Sequence, residues 1–60
     1  MKTSELIKLL RKSNCFILRN ESRHDIWYSP ATNKQFAVPR HKADIKVGTL
    51  NNILKDAGLQ

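Results

Sequence analysis

Two histidines are the residues of this chain best suited to chemistry. His24 opens a stretch with strand character and follows Arg23 directly. His41 lies in a Pro-Arg-His-Lys segment, Pro39 to Lys42, where another strand stops. A histidine with a reference pKa near 6.5 takes or gives a proton at neutral pH with little tuning. RNA brings its own nucleophile, the 2′-hydroxyl. A ribonuclease that works without a metal therefore needs a group to accept that proton, a group to protonate the leaving 5′-oxygen, and positive charge near the phosphate. His24 beside Arg23 supplies one titrating group and one cation, and His41 is a candidate for the second proton carrier. Spacing alone leaves a surface or packing role open for both. Cys15 sits next to Phe16 and Ile17 and reads as a packed thiol. Asp25, Asp44, Asp56 and the histidines show no metal-ligand spacing, so no metal site is expected. The glycines are Gly48 and Gly58 alone, which excludes a glycine-rich phosphate loop, and no cofactor is expected.

Charge points the same way. Eleven Lys and Arg against five Asp and Glu leave a formal charge of +6 on 60 residues. Such a bias favours an anionic partner, whether nucleic acid, an acidic protein or anionic lipid. Arg23, Arg40, Lys42 and Lys46 fall in loops or at strand ends that short connections bring near one another, and they form the expected phosphate-binding patch. Against this stands a charged surface that only keeps a small protein soluble. No apolar run is long enough for a signal peptide or a membrane span, so the cytoplasm is expected.

The elements that must carry these residues follow from periodicity. Leu6, Ile7, Leu9 and Leu10 make the apolar stripe of a helix over Ser4 to Ser13, with Thr3 or Ser4 as N-cap and Asn14 in the left-handed position after it. Cys15 to Arg19 reads as a strand, Asn20 to Arg23 as a hairpin loop, and His24 to Ser29 as a second strand. Alternation places His24, Ile26 and Tyr28 on one face and Asp25, Trp27 and Ser29 on the other. Pro30 to Asn33 is a turn, and Lys34 to Val38 a third strand closed by Pro39. Arg40 to Lys46 is a basic loop. Val47 to Ala57 is a second helix, with Thr49 as N-cap and Gly58 as C-cap. The length allows one domain, residues 1–60. Short connections make the three strands an antiparallel meander, and the fold class is α+β in the order α-β-β-β-α. Both helices cover one face of the sheet and the other face stays open, the layout of a double-stranded-RNA-binding domain. Leu6, Leu10, Phe36, Val38, Leu50, Ile53 and Leu54 form the expected core. Trp27 and Tyr28 point to opposite faces, so at least one escapes the helices and is free to stack a base or line a protein interface.

These residues also carry a family pattern. The chain resembles the HicA-type toxins of bacterial and archaeal toxin–antitoxin modules. The family's opening helix matches Leu6-Ile7-Lys8-Leu9-Leu10, and its first strand ends in an arginine, here Arg19. A Gly-Ser-His element and an aromatic strand match Ser22-Arg23-His24 and Ile26-Trp27. A Val-Pro-x-His segment matches Val38-Pro39-Arg40-His41. The closing Lys-x-Gly-Thr-Leu-x-x-Ile-Leu-Lys-x-Ala-Gly-Leu signature matches Lys46 through Leu59 at every fixed position. The resemblance implies a double-stranded-RNA-binding-like fold and a metal-independent mRNA interferase. It also implies a HicB-type antitoxin that covers the active face, with either a homodimer or a toxin–antitoxin hetero-oligomer open. It assigns the catalytic role to His24 and a second recurrent position to His41. The sequence departs from the family where Ser22-Arg23 replaces Gly-Ser, which bears on cleavage rate and sequence preference rather than fold, and where Asn14 replaces a glycine. The rival readings are a non-catalytic RNA-binding module and an antitoxin-binding domain of the same fold.

Overall fold

Helix α1, Thr3–Lys12, begins the chain, followed by the strands β1 (Phe16–Asn20), β2 (His24–Ser29) and β3 (Lys34–Pro39) and the helix α2 (Val47–Ala57). This computed structural model describes residues 1–60. The strands pair antiparallel in the order β1-β2-β3, as the short connections require. Leu6 and Leu10 of α1 and Ile53 and Ala57 of α2 join Trp27, Phe36 and Val38 in one buried cluster, so both helices lie on the same face of the sheet. Cys15 and Ile45 close its edges.

The helix ends are set by different means. Gly58 takes a left-handed φ of 80° after α2, and the Leu59 amide donates to the Leu54 carbonyl at 2.8 Å. A Cβ at Gly58 would stand 3.0 Å from the Thr32 Cγ2, so a side chain there would crowd Thr32 as well as strain the backbone. Two further carbonyls at this end are satisfied by the β2–β3 turn: Ser29 Oγ donates to Ala57 at 2.9 Å, and Thr32 Oγ1 donates to Asp56. Asn14 has φ 67° as expected. The expected N-caps do not form. Lys2 and Lys46 occupy the cap positions, and neither makes a side-chain cap bond. Thr3 is buried and Thr49 lies inside α2, exposed.

Two other expectations need correction, and β1 holds one feature that no expectation covered. Leu50 and Leu54 pack against the core only half-buried. The stripe of α2 is wider than the face it covers, and Ile53 and Ala57 take its centre. Trp27, offered above as a stacking residue, is 1% exposed and belongs to the core. Its register partner is Phe36, on the same helix-covered face. Finally, β1 carries a bulge: Ile17 pairs with Trp27 and Arg19 with Ile26, leaving Leu18 as the extra residue. The bulge resets the alternation, so Asn20 comes opposite Asp25.

Candidate functional site

The site lies at the end of the sheet where the β1–β2 hairpin tip meets the segment leaving β3. Glu21 donates its amide to the His24 carbonyl at 2.9 Å and closes the tip around Ser22 and Arg23. Neither of these residues has a positive φ, so serine in place of the family's glycine carries no left-handed strain here. His24 opens β2 and is paired with Pro39. Two residues on, His41 and Lys42 begin the loop toward α2.

Between the tip and the loop is the molecule's one cavity, of about 440 Å³, lined by Arg23, His24, His41 and Lys42. All four side chains are exposed. The volume is within the range of small-ligand sites, and the lining combines two imidazoles with two basic side chains. No group of three His, Cys, Asp or Glu side chains is clustered as a metal set would be.

The loop is held from the other side by the N-terminus. The Thr3 hydroxyl donates to the Lys42 carbonyl at 2.5 Å. The Thr3 amide donates to the Ala43 carbonyl at 2.9 Å, and the Ile45 amide to the Met1 carbonyl at 3.0 Å. Lys2 and Asp44 form the bridge between these bonds. Thr3 is therefore part of the site's support. Sequence reasoning missed this because a threonine ahead of an apolar stripe reads as a local cap.

Four residues expected at the site are placed elsewhere or engaged otherwise. Arg40 does not line the cavity. Its Nη1 donates to the Glu21 carbonyl at 3.1 Å, and its Nε lies 3.6 Å from the Asp25 carboxylate. Lys46 precedes α2, exposed and outside the cavity. Trp27 lies in the core, with the Arg11 guanidinium 5.4 Å from the centre of its ring. Tyr28 is half-buried on the open face, its ring 5.5 Å from Phe16 between centroids, and its hydroxyl bonded to Asn33. Phe16 and Leu18 are exposed on β1, so the open face presents the two aromatic rings Phe16 and Tyr28. No helix of the chain is long and apolar enough to cross a membrane.

A family model described as HicA toxin of bacterial toxin-antitoxin matches residues 3–59. Neither a curated protein nor a solved structure matches the chain.

Proposed function

The chain belongs to the HicA toxin family, and on that premise we propose that it is an endoribonuclease that cuts mRNA with His24 and His41 as its proton carriers. The observation that carries this reading is the lining of the cavity: Arg23, His24, His41 and Lys42 and nothing else. One imidazole, neutral, takes the proton of the RNA 2′-hydroxyl. The oxygen attacks the adjacent phosphorus in line, and the P–O5′ bond breaks. The other imidazole, protonated, gives its proton to the departing 5′-oxygen. The products are a 2′,3′-cyclic phosphate and a 5′-hydroxyl. Arg23 and Lys42 oppose the negative charge that grows on the phosphate oxygens in the transition state. No step calls for a metal ion, and a HicB-type antitoxin neutralises the toxin by covering the cleft.

The test is cleavage of a defined RNA by purified protein in excess EDTA, with mass analysis of the product ends. The wild type is expected to leave cyclic phosphates. His24→Ala and His41→Ala are each expected to lose about 10²–10⁴-fold in rate, the usual share of a general acid or base. Full activity in a folded His24→Ala protein would overturn the assignment. A wild type that binds RNA and cuts none would turn the reading to a binding module.

A further inference from the structure

Arg40 was expected to grip phosphate, and its surroundings give it different work. Its backbone amide donates to the Arg23 carbonyl at 2.9 Å. Its Nη1 donates to the Glu21 carbonyl at 3.1 Å, and its Nε faces the Asp25 carboxylate at 3.6 Å. The same Asp25 oxygen accepts from Asn20 Nδ2 at 2.7 Å. One residue thus reaches three points of the hairpin tip, at Glu21, Arg23 and Asp25. Its own next neighbours along the chain are His41 and Lys42. It joins the two walls of the cavity without standing in it.

The tip needs such a hold. Tight hairpin loops are most stable in turns with positive φ at the tip, because their twist matches that of the strands. Ser22 and Arg23 both lack it. The bulge at Leu18 disturbs the β1–β2 ladder just below. The planar guanidinium is suited to the task, since it presents donors in a fixed fork and cannot lose its charge.

We infer that Arg40 is the positioning residue of this site: its guanidinium brackets the Glu21–Asp25 tip against the His41–Lys42 segment and is not a phosphate ligand. The inference rests on the ribonuclease reading for its effect on catalysis, but its geometry is measurable without cleavage. The discriminating variants are Arg40→Gln and Arg40→Lys, compared with Lys42→Gln. The Arg40 side chain is 41% exposed, and both variants are expected to keep the core intact.

Three readouts separate bracket from ligand. Amide hydrogen exchange of Glu21, whose amide donates to the His24 carbonyl, and of position 40, whose amide donates to the Arg23 carbonyl, is expected to rise about tenfold or more in both Arg40 variants and to stay unchanged in Lys42→Gln. The salt dependence of binding to a single-stranded oligoribonucleotide is expected to keep its wild-type slope in Arg40→Gln. Lys42→Gln is expected to lower it by about 0.7, the share of one phosphate contact. In cleavage, Arg40→Lys is expected to reproduce most of the loss of Arg40→Gln, about tenfold or more in kcat with little change in KM, because misplaced catalytic groups slow the chemical step. A phosphate ligand would behave in the opposite way: lysine would rescue, the salt slope would fall with glutamine, and tip exchange would not move. Any one of those three results overturns the bracket. A wild type without nuclease activity removes only the kinetic readout and leaves exchange and salt slope to decide.

Discussion

Within one dipeptide the sheet separates two aromatic side chains. Trp27 is 1% exposed among the helices, and Tyr28 lies half-buried on the open face against Phe16. Trp27→Ala is expected to cost about 3–5 kcal/mol, as for other large buried aromatics. On a domain of this size each kcal/mol lowers the melting temperature by roughly 4–8 °C, so a thermal melt reads the loss directly. Tyr28→Ala is expected to leave the fold standing, with a loss near 1 kcal/mol for the ring pair. If Tyr28 stacks a base, the same variant weakens RNA binding by about 1–3 kcal/mol, measurable by fluorescence anisotropy. Alternation along the strand was enough to divide these residues between two faces. It was silent on which face the helices take. The missing step was cross-strand register: Phe36 and Val38 mark the covered face of β3, and Trp27 stands opposite Phe36. His24, Arg23, His41 and Lys42 could be named from residue type and position. The contacts of Arg40 with Glu21 and Asp25 could not, because a basic residue in a loop looks the same whether it faces a phosphate or a carbonyl.

At the scale of elements, the apolar stripes of α1 and α2, the prolines beside β3 and the glycine after α2 were all legible, since each is a local constraint written in residue type. Features set by distant partners were not. The α1 terminus is fixed by Lys2 pairing with Asp44 rather than by a capping side chain. The bulge at Leu18 adds one residue without altering composition. The extent of the core likewise depended on how far α2 rolls onto the sheet. Leu10→Ala is therefore expected to cost about 2–5 kcal/mol in equilibrium unfolding, and Leu54→Ala clearly less, since Leu54 is only half-buried. Equal losses would mean that the two helices share the core evenly. Gly58→Ala is expected to cost about 1–2 kcal/mol, from the left-handed φ of 80° and the 3.0 Å approach to Thr32. Denaturant melts of these variants check the ordering.

Across the whole molecule, charge and support meet at one end. The excess of +6 is spread over the surface, but the cavity gathers Arg23 and Lys42 beside both histidines. The Lys42 wall is tied to α1 through Thr3. Thr3→Val keeps the side chain's shape and removes the hydroxyl that donates to the Lys42 carbonyl. It is expected to cost about 0.5–1.5 kcal/mol, the range for one hydrogen bond lost where water can reach the carbonyl, and to raise amide exchange in the loop after β3. The Thr3–Lys42 bond spans 39 residues, and this has a consequence for the order of events during synthesis. Thr3 leaves the ribosome well before Lys42, Ala43 and Ile45, and the strap between them waits for the loop. The Ile53 and Ala57 side chains that complete the core come later still. His24 is thus translated long before the opposite wall of its cleft can be braced. A growing chain carries the histidine before the Lys42 wall of its cleft exists, and the core beneath that cleft is complete only when α2 has been made.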